Sequence, residues 1–239
     1  VNVTRLVLTP RALAPEAQPE TILMRARRLG LATSRLPALD EGGEALRLAP
    51  VNVEDLLLRP GVKIDYRRLE KFVKGKSVIV TGGGGSIGSE ICDRVATFGA
   101  ARLLVIEHSE PALYAVTEAL AARAANAVIE GRIADIRDRD RIMNLMREFK
   151  PDIVFHAAAL KHVPTAEYNP FECIKTNVVG AENVVQAAIA SGVRKVIALS
   201  TDKAANPINL YGASKLASDK IMVAGNSLSA RVGTRFAVV

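Results

Sequence analysis

The stretch Ser77-Val78-Ile79-Val80-Thr81 is apolar and β-branched, and it runs without a spacer into Gly82-Gly83-Gly84-Gly85-Ser86-Ile87-Gly88. Residues Ser86 to Phe98 then follow helical spacing. This order of strand, glycine turn and helix, in the pattern T-G-x-x-G-x-x-G, restricts the fold more than any other feature of the chain. Gly82 permits the tight turn, Gly85 lets backbone approach a pyrophosphate, and Gly88 lets the helix pack close to the strand. The helix start offers free N–H groups and a partial positive charge, so the turn reads as a phosphate cradle. A glycine-rich turn without a ligand is the plainer alternative, and the strand before it and the helix after it argue against that.

Beyond the turn the alternation is regular. Strands are expected at Leu103–Ile106, Ala127–Ile133, Ile153–Phe155, Lys195–Ser200 and Thr234–Val239. Helices are expected at Pro111–Ala125, Arg139–Phe149, Phe171–Ser191 and Leu210–Gly225. Such alternation implies right-handed crossovers and an α/β fold class with a doubly wound parallel sheet, in the order 3-2-1-4-5-6. Ahead of it, Val3–Thr9 reads as a strand, Pro19–Gly30 as a helix and Leu46–Leu48 as a short strand. These make a partial second α/β domain over residues 1–52. Asp55–Leu58 and Asp65–Val73, broken at Pro60-Gly61, read as a helical linker or arm over residues 53–73, and the dinucleotide-binding domain is placed at residues 74–239. The chain opens at Val1 within what reads as a strand, as a piece of something longer would.

Composition narrows the partners. The net charge of +7 suits an anionic ligand such as a dinucleotide or a nucleotide-sugar diphosphate. Nucleic acid is excluded as a partner, because the basic residues are dispersed and aromatics make up only 4% of the chain, too few for a stacking platform. Most individual Lys and Arg read as solvated surface. Cys92 and Cys173 are far apart and have neither metal-ligand nor disulfide-framework spacing, so no metal is expected and a cytoplasmic, reducing location fits. No run approaches the ~20 apolar residues of a membrane helix.

Glu107 ends the second strand, where an acid accepts from adenosine ribose hydroxyls; this favours NAD, since the 2′-phosphate of NADP would meet like charge. Arg102 and His108 lie close by and keep NADP open, and Glu107 also fits as plain surface charge. Asp135 and Ile136 are placed to bracket the adenine, although Asp135 alternatively caps the next helix. Tyr211 and Lys215 lie at i and i+4 of an expected helix, one crossover after Ser200-Thr201. A cation beside a phenol favours the phenolate, which can take a proton from a sugar hydroxyl.

Three segments carry a resemblance: Ala198 to Lys215 (A-L-S-T-D-K-A-A-N-P-I-N-L-Y-G-A-S-K), Phe155 to Val163 (F-H-A-A-A-L-K-H-V), and Thr176-Asn177-Val-x-Gly180. Together they resemble the inverting UDP-N-acetylglucosamine 4,6-dehydratases, polysaccharide-biosynthesis members of the extended short-chain dehydrogenases/reductases. The resemblance covers residues 74–239. It implies that Tyr211 takes the 4-hydroxyl proton while C4 is oxidised by a tightly bound NAD or NADP regenerated in each cycle. Lys215 would tune Tyr211 and bind the nicotinamide ribose. Thr201 would hydrogen-bond the same hydroxyl, Asp202 would protonate the departing C6 hydroxyl, and Lys203 would remove the C5 proton. In the related retaining hexose dehydratases a Glu follows the Asp, so Lys203 points to the inverting, acetamido-sugar group. The alternative for Asp202 and Lys203 is a loop ion pair.

The resemblance further implies that Thr81, Ser86, Ile87, Ala157, Ala158 and Ala159 join Gly82, Gly85, Gly88, Glu107, Asp135 and Ile136 around the cofactor. Lys161, His162 and Asn177 are candidates for substrate contact, Asn177 alternatively satisfying backbone or water. His156 reads as a packing or hydrogen-bonding residue. Residues 1 to 73 resemble the end of a Rossmann-like cytoplasmic domain in long, membrane-anchored members, many of which carry Met where this chain has Tyr211. Family members assemble as homo-oligomers. They continue past the position of Val239 with most of the UDP-sugar pocket, so weak or absent turnover is expected of these residues alone. Two other readings remain: a UDP-sugar 4-epimerase, which needs Tyr and Lys but no elimination pair, and a non-catalytic dinucleotide-binding module.

Overall fold

The computed structural model describes residues 3–13, 19–36, 49–50, 65–123 and 127–239. The chain divides into two compact units, residues 1–64 and 65–239.

In the first unit β1 (Arg5–Leu8), β2 (Ala32–Arg35) and β3 (Ala49–Pro50) form one sheet, and α1 (Pro19–Arg28) connects β1 to β2. β1 and β2 are parallel, paired from Arg5↔Ala32 to Leu8↔Arg35, and β3 is antiparallel to β2. The strand at β2 was not expected. Its residues Ala-Thr-Ser-Arg have no apolar alternation, and pairing with β1 is what makes them a strand. The strand expected at Leu46–Leu48 and the helix expected at Asp55–Leu58 lie outside the described residues.

The second unit begins with α2 (Tyr66–Val73), capped by Asp65 accepting from the Arg68 amide. There follow β4 (Ser77–Thr81), α3 (Ser86–Thr97), β5 (Arg102–Glu107), α4 (Glu110–Ala121), β6 (Val128–Ile133), α5 (Arg139–Phe149) and β7 (Ile153–His156). After β7 come α6 (Val163–Tyr168), α7 (Pro170–Ile174), a π-helical turn (Lys175–Val179), α8 (Gly180–Ala190), β8 (Lys195–Ala198), α9 (Leu210–Leu228) and β9 (Arg235–Val238). The six strands are all parallel in the order β6-β5-β4-β7-β8-β9, which is the 3-2-1-4-5-6 arrangement expected from the alternation.

Helices cover both faces of this sheet. Ile79, Leu104, Val154 and Val196 pack with Ile142, Met146, Val184 and Met222 in one cluster. Val78, Val80, Leu103, Val105 and Ile153 pack with Val73, Cys92, Val95, Val116 and Leu120 in another. Strands buried on both faces read as unbroken apolar runs, which is why β4 and β5 are visible in the sequence.

The helix expected at Phe171–Ser191 is present as α7, the π turn and α8, continuous from Pro170 to Ala190, and α6 precedes it unannounced. The π turn carries Asn177, whose side chain holds a distant loop, and single-turn π segments often accompany such demands.

Candidate cofactor groove and active site

The strand ends carry a groove of about 640 Å³. Its walls include the glycine turn, the segments after β5, β6, β7 and β8, and the start of α9.

Gly82 and Gly88 leave no room for a side chain. Gly82 has φ +69°, and a Cβ there would stand 2.6 Å from the Cα of Ala158. A Cβ on Gly88 would stand 2.0 Å from the Gly82 carbonyl oxygen, so α3 packs directly on the turn. α3 begins with no capping side chain and no acid in its first turn. Gly84, Gly85, Ser86, Ile87 and Gly88 all line the groove. A helix start lined in this way, uncapped and without acid, fits the pyrophosphate of a dinucleotide.

Glu107 is 6% exposed and lines the groove. Its carboxylate accepts from the amides of Gly84 (3.0 Å), His108 (3.0 Å) and Ser109 (3.1 Å), and lies 2.8 Å from Nδ1 of His108. It therefore fixes the glycine turn to the loop after β5, and only its remaining acceptor capacity is open to a ribose. Asp135 and Ile136 line the groove as well. Burial pushes the Asp135 carboxyl up, but the hydrogen bonds and charge of Arg137, at 2.5–2.7 Å, outweigh it and hold the carboxyl below its usual range. Arg137 also pairs with Glu172 on α7, which makes a clasp between two walls. The cap of α5 is Asp138, accepting from the Arg141 amide at 3.0 Å, and not Asp135.

Ala157, Ala158, Ala159 and Lys161 line the groove. Thr81 does not: it is fully buried, with its hydroxyl 2.8 Å from Nδ1 of His156. Burial, with the Lys215 charge adding to it, pushes the His156 imidazole down to about 3. His156 is thus neutral packing. His162 is exposed at the start of α6 and is not among the lining residues. Asn177, 2% exposed, is also set back from the groove. Its amide accepts from the Leu160 amide (2.8 Å) and donates to the Leu160 carbonyl (2.9 Å) and to Ser214 (2.9 Å). Those bonds tie the loop after β7 to α9 and leave Asn177 a scaffold side chain, with its polar atoms engaged inside the protein.

Tyr211 and Lys215 stand on α9, whose cap Asn209 accepts from the Gly212 amide at 2.8 Å. Both line the groove and both are buried, at 9% and 4% exposed. Nζ of Lys215 donates to the Leu199 carbonyl at 2.7 Å. Burial lowers the Lys215 ammonium's pKa, against an opposing pull from Asp219.

Thr201, Asp202 and Lys203 follow β8 on a short 3-10 turn and are not among the lining residues. Thr201 donates to Oδ1 of Asp202 at 3.0 Å, and Nζ of Lys203 lies 3.4 Å from the same oxygen. The Thr201 hydrogen bond first, and then the Lys203 charge, hold the exposed Asp202 carboxyl below its usual range.

Sequence reasoning missed Leu199, Ser200, Arg137, Ser109, Thr165, Asn169 and Glu172 as lining residues. Ser200 and Arg137 adjoin residues already singled out and were within reach. Thr165 and Asn169 depend on α6 and its end, which left no periodic signal, whereas Glu172 lies within the helix expected at Phe171–Ser191.

A sheet of this order, with its glycine turn opening into the same groove as a buried Tyr-x-x-x-Lys, is the architecture of the short-chain dehydrogenases/reductases. The second unit is an NAD(P)-binding Rossmann domain of that superfamily. Within it the chain belongs to the polysaccharide biosynthesis protein family, which matches residues 78–239. It is 39% identical over 201 residues to the probable polysaccharide biosynthesis protein EpsC of Bacillus subtilis, covering 82% of this chain and 34% of that protein. It is 44% identical over 165 residues to a UDP-N-acetylglucosamine 4,6-dehydratase (inverting) of Campylobacter jejuni, covering 69% of this chain and 48% of that protein. The resemblance read from the motifs is thereby supported. Among solved structures, a UDP-glucose 4-epimerase of Stenotrophomonas maltophila with bound NAD matches with TM-score 0.59 and 26% identity, over 68% of this chain and 51% of that one. The chain spans a third to a half of the length of the curated relatives it matches. Among the described residues no helix is long and apolar enough to cross a membrane.

Proposed function

We propose that this chain is the cofactor-binding and catalytic part of a nucleotide-sugar 4,6-dehydratase acting on UDP-N-acetylglucosamine, in the synthesis of bacterial surface polysaccharide or glycan. The observation that carries the reading is the Lys215 ammonium, buried on the Leu199 carbonyl in the groove that also holds Tyr211 and the glycine turn. Tyr211, which lines the same groove as Lys215, takes the proton of the sugar 4-hydroxyl, and Thr201 hydrogen-bonds that hydroxyl. The glycine turn, Glu107, Asp135, Ile136, Ala157, Ala158 and Ala159 would hold NAD or NADP, which would supply the oxidising equivalent for C4 and the reducing equivalent for C6.

Oxidation at C4 acidifies the C5 proton, and elimination of water then needs one base and one acid. A neutral Lys203 amine serves as the base and a protonated Asp202 as the acid. The ion pair seen between them is one proton transfer from those forms. As C6 is reduced, C5 takes a solvent proton on the face opposite Lys203, and Tyr211 and Lys203 return their protons to Asp202 and solvent. Each turnover releases water and leaves a 4-keto-6-deoxy sugar, inverted at C5, with the cofactor as it began. Lys161 is positioned on the groove wall to meet the substrate diphosphate. The reading extends to a cytoplasmic location, a homo-oligomeric full-length protein and an upstream Rossmann-like domain that ends within residues 1–52.

A 4-epimerase is the second reading. The exposure of Asp202 and Lys203 outside the groove lining favours it, because epimerisation requires only Tyr211 and Lys215. The test is incubation of the full-length protein with UDP-N-acetylglucosamine. A 4-keto-6-deoxy product, seen by mass loss of water and alkaline absorbance, is the expected outcome. UDP-N-acetylgalactosamine in its place would establish the epimerase.

A further inference from the structure

Tyr211, Lys215 and Asp219 succeed one another at i, i+4 and i+8 on α9 and so share one stripe of the helix. The hydroxyl of Ser200 donates to Oδ2 of Asp219 at 2.5 Å. Nζ of Lys215 donates to the carbonyl of the preceding residue, Leu199, at 2.7 Å. Two oppositely charged head groups from adjacent turns of one helix thus meet two consecutive residues at the end of β8, and both of those residues line the groove. The other carboxylate oxygen of Asp219, Oδ1, is buried without a hydrogen-bond partner. A shielded carboxylate oxygen that lacks a donor costs free energy unless a nearby positive charge offsets it.

We propose that Asp219 is a positioning residue for the Tyr211–Lys215 pair: it fixes Ser200 in the groove wall and is the counter-charge to the Lys215 head group. The inference deepens the dehydratase reading and takes from it the catalytic role of Tyr211 and Lys215. Asp219 on its own helix and His156 on β7 interact electrostatically with Lys215, and Tyr211 stands one turn before it on the helix. His156 is neutral, so among the described residues Asp219 is the anion acting on Lys215. Because the Ser200 proton is committed to Asp219, Ser200 meets an occupant of the groove as an acceptor.

The test uses full-length protein as wild type, Asp219→Asn, Asp219→Ala and Ser200→Ala. Amines are labelled with acetic anhydride across a pH series in cofactor-free protein, and acetylation of Lys215 is read by peptide mass mapping. Loss of the opposite charge one helical turn away should lower the labelling midpoint of Lys215 by about one pH unit in both Asp219 variants. Ser200→Ala removes the hydrogen bond and keeps the charge, so its midpoint should stay at the wild-type value. With UDP-N-acetylglucosamine, the alkaline limb of turnover should move in the same direction as the labelling. An unchanged midpoint in either folded Asp219 variant overturns the proposal. So does a shift in Ser200→Ala as large as that in Asp219→Asn, or failure of both Asp219 variants to fold while Ser200→Ala folds. Absence of a 4-keto product from wild type overturns the dehydratase reading alone, since labelling requires no turnover.

Discussion

The Thr81 hydroxyl, at the end of β4, lies 2.8 Å from Nδ1 of His156, at the end of β7, and the two residues face each other in the parallel register. Both are buried, and the imidazole is held neutral, with its pKa pushed down to about 3. Between that value and the ordinary one near 6.5 the unfolded chain binds a proton that the native protein does not. The stability tied to His156 is therefore complete above about pH 6.5 and is lost progressively as pH falls toward 3. At about 1.4 kcal/mol per pH unit, the loss by about pH 5 is on the order of 2 kcal/mol. Urea unfolding at neutral pH and at about pH 5 measures it. His156→Gln cannot titrate and should flatten the slope, whatever its absolute stability; parallel slopes would rule the account out.

Gly85 and Gly88 separate ligand binding from packing. A methyl group on Gly85 meets only the Gly82 carbonyl, at 3.3 Å, and its backbone, at φ −74°, suits alanine. A methyl group on Gly88 would collide with that carbonyl at 2.0 Å. Gly85→Ala should change stability by less than about 1 kcal/mol and weaken cofactor retention, because the added methyl narrows the cradle. Gly88→Ala should cost about 1–3 kcal/mol by overpacking. Thermal melting and mass spectrometry of the released cofactor check both. Full cofactor retention in a folded Gly85→Ala variant would count against the phosphate cradle.

Replacing Lys215 by Met keeps the buried stem and deletes the charge. On the proposed chemistry, turnover should fall by about 10²–10⁴, the usual contribution of an assisted proton transfer. The Leu199 carbonyl loses its donor, and about 1–3 kcal/mol of stability goes with it. Steady-state rates of the full-length protein, with melting as the folding control, decide it. Turnover within threefold of wild type would remove Lys215 from the mechanism.

Lys203→Ala addresses elimination alone. The side chain is half exposed, at 50%, and not among the groove-lining residues, so stability and cofactor content should stay at wild-type levels. Formation of the 4-keto-6-deoxy sugar should stop. An epimerase, or a module that merely binds the dinucleotide, would be indifferent to this change.

The sheet was legible because its strands are buried on both faces. Val78-Ile79-Val80 and Leu103-Leu104-Val105 have no polar residue to blur them, and the Asp138 cap marks the start of α5. β2 was not legible, since Ala32–Arg35 carries no alternation and acquires its conformation from β1. Nor were α6 and the π turn after α7. The run from Pro170 to Ala190 has one helical period on paper, while the bonds of Asn177 to Leu160 and Ser214 accompany a π turn at Lys175–Val179. In the site, the glycine turn, Tyr211 and Lys215 come from local spacing. Asp219 shares that spacing and could have been read from it. The engagement of Thr81 by His156 could not, because seventy-five positions separate them and only the register of β4 with β7 brings them together.

The doubly wound sheet, its strand order and the glycine turn were readable from the chain alone, because burial periodicity, β-branching and glycine at fixed offsets act over a few neighbouring residues. Tertiary structure alone decided which polar groups face the groove. It sets Asn177 and Thr81 back into the scaffold, turns part of the Glu107 carboxylate onto backbone amides, and brings Lys215 and Asp219 to consecutive residues of β8's end. Those outcomes depend on which donor lies within about 3 Å of which acceptor once strands and helices far apart in the chain have packed, and spacing along a sequence carries no such distance.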